Sequence, residues 1–121
     1  MKYIAGIVLG FRDDLTTICL SLLSEAKRGG ATGINLLVMG EEYDEGKVIE
    51  AIRDILLSNI SLSIKVYVVN DYEEARDLIR GMLNEETHPI SIKLFKGHTS
   101  WPENTLMSEL QVMLKGRNML A

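Results

Sequence analysis

The chain has 121 residues, 46% of them hydrophobic and 25% charged, the make-up of one globular domain large enough to bury a core without staples. A net charge of −4, with basic residues no more clustered than pairs such as Lys27 and Arg28, offers no surface to the phosphates of a nucleic-acid duplex. The single cysteine, Cys19, excludes an intramolecular disulfide and a thiolate metal cluster and fits a reducing compartment.

No apolar run approaches the roughly 20 residues of a membrane span. The N-terminus, MKYIAGIVLGFRDD, lacks the small-residue cleavage pattern of a signal peptide. A single cytoplasmic domain covering residues 1–121 is therefore expected, with no membrane partner.

Tyr3 to Leu9 (YIAGIVL) is a continuous apolar run ended by Gly10 and reads as a strand. Leu15, Ile18, Cys19, Leu22, Leu23 and Ala26 then recur at helical spacing, and Arg28, Gly29 and Gly30 form a helix stop signal. Cys19 lies on the apolar face of that helix, which predicts a core side chain and not a reactive thiol.

Ile34 to Met39 (INLLVM) reads as a second strand, and Asp44 opens a helix that turns Val48, Ile49, Ile52, Ile55 and Leu56 inward. Leu62 to Val69 (LSIKVYVV) is the third strand. Asp71, with Glu74 three residues on, caps a third helix carrying Ala75, Leu78, Ile79 and Met82. Ile90 to Phe95 (ISIKLF) is the fourth strand, and a fourth helix is expected over residues 101 to 115.

Four strand-helix units in strict alternation imply a parallel sheet with right-handed crossovers. Parallel strands covered on both faces read as continuous apolar runs, whereas edge strands tolerate alternation. The first two strands are nearly continuous. The third and fourth alternate, and Lys65 and Lys93 look like edge protection. The predicted architecture is thus an α/β, Rossmann-like three-layer sandwich with a four-stranded parallel sheet of order 3-2-1-4.

In that order the chain reverses direction across the sheet between strands one and four, where the strand exits are expected to spread into a crevice. The loops there are Gly10 to Asp14 (GFRDD) and Lys96 to Trp101 (KGHTSW). Gly97 lets a backbone approach closely, and Thr99 and Ser100 offer hydroxyls and amides at a helix start, where anions bind. Arg12 and Lys96 add positive charge, and Trp101 is placed to stack on a base if it faces the crevice.

Structural readings stand beside these. Ser100 and Glu103 form an S-x-x-E capping box, and Trp101 serves equally to cover the sheet. His98 and Lys96 are catalytic candidates, His98 because an imidazole can serve as a general acid or base. His88, beside Pro89, reads as a surface residue, and no metal site is expected from two distant histidines. Asp13, Asp14 and Asp71 suggest a receiver-like acidic cluster, but N-capping explains their positions better. Glu41, Glu42, Asp44 and Glu45 read as a solvated acidic turn. No glycine-rich phosphate fingerprint is present.

The first-strand exit LGF (Leu9 to Phe11) and the run from VYVVNDYEEARDLIRGML into ISIKLFKGHTS resemble the CRISPR-associated Rossmann fold (CARF) domains. The resemblance is strongest to the sensor half of archaeal CRISPR-linked winged-helix regulators, a family of antiviral defence. In that family the fourth-strand loop often reads as two glycines, a threonine and a lysine, with a methionine soon after. Gly97 and Thr99 match, Met107 matches loosely, His98 stands in the second glycine position and Ser100 in the lysine position, with Lys96 close enough to substitute.

The resemblance implies a homodimer whose joined crevices hold a cyclic oligoadenylate messenger, lined by Gly10, Phe11, Arg12, Gly97, His98 and Thr99, to which the position of the loop adds Lys96, Ser100 and Trp101 as candidate ligand-binding residues. It also admits a metal-independent ring nuclease that holds a ribose 2′-hydroxyl in line with the next phosphate, with no cofactor. The family usually continues into further strands and an effector domain, so a stand-alone sensor and a fragment both remain open.

The C-terminal segment, with Leu106, Met107, Leu110, Val112, Met113, Leu114, Met119 and Leu120, is apolar around more than one face, which independently favours a homodimer. The alternative is a small α/β interaction or assembly module without a nucleotide ligand.

Overall fold

The computed structural model describes residues 2–84, 89–102, 106, 108, 110 and 111. The elements alternate as β1 (Tyr3–Leu9), α1 (Leu15–Gly29), β2 (Gly33–Met39), α2 (Glu45–Ser58), β3 (Ser63–Val69), α3 (Tyr72–Asn84) and β4 (Ser91–Lys96). Leu106, Ser108, Leu110 and Gln111 are helical, within the range expected of the fourth helix. Most of that helix, with Glu103, Met107, Val112, Met113 and Leu114, lies outside the described residues, as do Met119 and Leu120 after it and His88.

The four strands form one parallel sheet in the order β3-β2-β1-β4. This is the order argued from burial, and the physical reason is visible along each strand. All seven residues of β1 are buried, and six of the seven in β2. By contrast, β3 buries only Val69 fully and β4 only Ile92. Lys65 on β3 is exposed. Lys93 on β4 reaches Glu25 of α1 at 3.4 Å, so its apolar stem lies along the sheet edge while its charge is paired.

Side-chain alternation along the strands divides the core into two layers. Ile4, Val8, Ile34, Leu36 and Val38 face α1 and α2, meeting Ile18, Leu22, Val48 and Ile52. Ala5, Ile7, Leu9, Leu37 and Met39 face α3 and the C-terminal segment, meeting Ala75, Ile79, Met82, Trp101, Leu106 and Leu110. The crossovers β1-α1-β2 and β2-α2-β3 run in one direction across the sheet. The crossover through α3 returns across it, so right-handedness puts α3 on the opposite face.

Local signals act as expected in most places. Asp44 caps α2 through a bond from the Lys47 N–H at 3.1 Å. Asp71 accepts from the Glu74 N–H at 3.2 Å. Gly30 ends α1 in the left-handed conformation. Asp14 is different: it occupies the N-cap position of α1 without a side-chain cap bond, because its carboxylate is taken by Arg12. Among the described residues no helix is long and apolar enough to cross a membrane.

Candidate functional site at the carboxyl ends of β1, β2 and β4

The exits of β1 and β4 do not spread apart into an open crevice. They are bonded to each other. The Gly97 N–H donates to the Leu9 carbonyl at 2.7 Å, and the Gly10 N–H to the Met39 carbonyl at 2.8 Å, carrying the ladders past the strand ends. Phe11 and His98 then form an antiparallel bridge, Phe11 N–H to His98 O at 2.6 Å and His98 N–H to Phe11 O at 3.1 Å. Two glycines make this possible. Gly10 turns with φ +92°, and a Cβ on Gly97 would lie 2.3 Å from the Phe11 carbonyl oxygen.

Arg12 is fixed at this junction. Its Nε and Nη2 donate to the two oxygens of Asp14 at 2.9 and 2.7 Å, and its Nη1 donates to the Lys96 carbonyl at 3.0 Å. A bidentate fork of this kind sets the guanidinium plane as well as its position. The same hydrogen bond raises the pKa of Arg12 and holds the Asp14 carboxyl below its ordinary value.

The exit loop of β2 braces the other two, a role that its acidic composition did not announce. The Tyr43 hydroxyl donates to the Gly10 carbonyl and accepts from the Arg12 N–H, both at 2.8 Å. Burial pushes the phenol's pKa up, which keeps the proton that the first bond requires. Asn70 donates to the carbonyls of Gly40 and Tyr43 at 3.0 and 2.6 Å. Glu41 receives the Ser100 hydroxyl and the Trp101 Nε1–H, each at 3.0 Å. Glu41 therefore anchors the KGHTSW loop and is not merely a solvated side chain of an acidic turn.

This arrangement redistributes the candidate residues. Gly10, Phe11, Arg12, Lys96, Gly97, His98 and Thr99 converge on one rim. Lys96 and His98 are exposed, and Phe11 is 44% exposed. Ser100 is committed to Glu41, while Thr99 takes the local capping contact, accepting from the Trp101 N–H at 3.1 Å. Trp101 is 6% exposed and stands edge-on to Tyr72 with ring centroids 5.9 Å apart. It covers the sheet and presents no face to the rim, so the exposed aromatic ring there is Phe11.

Beside the rim, between the first turns of α1 and α2, lies a cavity of about 200 Å³ whose walls include Phe11, Arg12, Leu15, Tyr43, Lys47 and Val48. Phe11 and Arg12 were legible from their place after the first strand. Tyr43 and Lys47 were not, because each reaches the cavity from a loop or turn that local sequence explains fully by helix initiation. A second cavity of about 190 Å³ opens between the sheet and α3, near Asn35, Tyr67 and Asp77, away from the rim. Cys19 is buried with its thiol pushed up to about 11 by desolvation, which suits a core residue. Among the described residues no group of three or more His, Cys, Asp or Glu could hold a metal ion.

No protein-family model and no curated protein matches the chain. Among solved structures, the crystal structure of a hypothetical protein from Sulfolobus tokodaii aligns with a TM-score of 0.69 and 12% identity, covering 99% of this chain and 93% of that one. A likeness at that identity is one of fold: the chain is an α/β protein with a Rossmann-like parallel sheet of order 3-2-1-4.

Proposed function

We propose that the protein is a dimeric nucleotide-binding sensor whose ligand lies on the rim formed by the exits of β1 and β4, with a cyclic oligoadenylate as the candidate messenger. The observation that carries this reading is the fixed guanidinium of Arg12, held by Asp14 and by the Lys96 carbonyl where the two loops join. A group already ordered in the free protein loses little conformational freedom on binding. Its remaining N–H bonds can address phosphate oxygens, with Lys96 and His98 exposed on the same rim.

The main chains of Gly10 and Gly97 pack against each other, which holds the loops carrying Arg12, Lys96 and His98 together on one rim. Phe11 supplies an exposed ring on which a base can stack. Dimerisation would bring two such rims together, as the family resemblance implies.

Cleavage would be a second step at the same place. The ribose 2′-hydroxyl attacks the adjacent phosphorus, the 5′-oxygen departs with a proton, and a cyclic phosphate remains. His98 is the candidate for proton transfer, and Lys96 for charge on the phosphoryl oxygens.

The test is thermal unfolding with cyclic tetra- and hexa-adenylate. At a hundredfold excess over Kd the expected rise in Tm is on the order of 10 °C. Arg12→Ala and Thr99→Ala should shrink that rise, each compared with its own unliganded Tm. No rise with either ligand on folded protein refutes the proposal.

A further inference from the structure

We infer that the cavity between the first turns of α1 and α2 is a base subsite, taking one purine ring whose edge carries an exocyclic amine. The inference rests on the rim being a nucleotide site and says where on this chain the base goes. Size is the first argument. About 200 Å³ falls below the roughly 300–1,000 Å³ of pockets that engulf a drug-sized ligand. It suits a single ring system with the sugar and phosphate left outside.

The walls are the second argument. The rings of Phe11 and Tyr43 lie 5.8 Å apart at 35°, and both residues line the cavity. Leu15, Val48 and Ala51 complete apolar walls that suit the faces of a flat ring. Phe11 is 44% exposed, which for a large apolar side chain on an ordered loop leaves a stacking surface uncovered.

The edge is the third argument. Asp13 and Glu42 stand among the lining residues and are exposed. Ionised carboxylates only accept hydrogen bonds, so they favour a base edge that donates. With Asp44 they outnumber the two cations of the lining, Arg12 and Lys47, so the cavity keeps a net negative charge that disfavours phosphate, whereas Arg12 also touches the Lys96 carbonyl on the rim side. Charge thus orients the ligand with its base inward and its phosphate on the rim.

The experiment is calorimetric titration of the full chain with adenosine 5′-monophosphate, purine riboside 5′-monophosphate, which lacks the amine, and ribose 5-phosphate. Adenosine monophosphate should bind about tenfold or more tightly than ribose 5-phosphate, and several-fold more tightly than the amine-free purine. Ala51→Leu fills the cavity from the exposed side of α2, and Thr16→Leu does so independently from α1. Either folded variant should lose about tenfold for adenosine monophosphate and nothing for ribose 5-phosphate. Equal binding of the nucleotide and the sugar phosphate, or wild-type nucleotide affinity in a folded cavity variant, overturns the subsite. If that occurs while cyclic tetra-adenylate still stabilises the protein through Arg12, the rim reading survives; if none of these ligands binds, both fall.

Discussion

Replacing Gly97 by alanine tests whether the closed junction of β1 and β4 is held by backbone contact. The added Cβ would lie 2.3 Å from the Phe11 carbonyl oxygen, 2.7 Å from its carbon and 2.8 Å from the Gly10 carbonyl carbon, where ordinary contact begins near 3.4 Å. All three neighbours are main-chain atoms, so no rotamer change relieves the clash. A displacement of about 1 Å is required, and it would stretch the bridge bonds, now 2.6 and 3.1 Å, beyond useful length. Overpacking costs about 1–3 kcal/mol, and each lost bond contributes about 0.5–1.5 kcal/mol. Phe11 and His98 are exposed, so water recovers part of the second contribution, and the expected loss is about 2–3 kcal/mol.

Urea denaturation followed by circular dichroism measures that loss directly. Two controls separate the contact from generic effects. His98→Ala keeps the backbone bridge and should stay within about 0.5 kcal/mol of wild type. Gly81→Ala, in α3 with nothing within 4 Å of its added Cβ, should gain about 0.5–1 kcal/mol from helix propensity. If Gly97→Ala unfolds within 0.5 kcal/mol of wild type, the account of the junction is wrong.

Glu41→Ala removes the acceptor of both the Ser100 hydroxyl and the Trp101 indole N–H. It should cost about 1–2 kcal/mol and shift the emission of the single tryptophan, while Glu41→Gln keeps an acceptor and should move both less. Unchanged emission in the alanine variant argues against the brace. Burial raises the Cys19 pKa to about 11 from 9.0, so the folded state binds the proton more tightly than the unfolded state. That contribution is complete below pH 9 and is lost as pH rises towards 11. At pH 8, a thiol reagent should label Cys19 only on the timescale of unfolding, and rapid labelling of folded protein contradicts the placement.

The topology was legible because sheet order follows from how continuous each apolar run is. Tyr3 to Leu9 can be that apolar only if both faces are covered, and Lys65 and Lys93 are tolerable only where an edge lets charge reach water. Local capping was half legible. Asp44 and Asp71 cap as expected, whereas Asp14 gives its carboxylate to Arg12, a stronger partner than a backbone N–H. Ser100 donates to Glu41 across 59 positions of sequence, a partner that no local pattern announces, while the Glu103 half of its expected capping box lies outside the described residues. Trp101 goes to the core because an edge-on ring neighbour and a carboxylate for its N–H are both available there.

Element order, the parallel sheet, its strand order and the convergence of GFRDD with KGHTSW all follow from patterns within single segments, where apolar spacing and burial act locally. Tertiary structure decided how those loops meet. The Phe11–His98 bridge, the contact of Arg12 with Lys96 and the hold of Tyr43 on Gly10 join residues 33 to 87 positions apart. Each hydrogen bond there replaces a local partner equally acceptable to the same side chain or amide, and only assembled geometry selects between them.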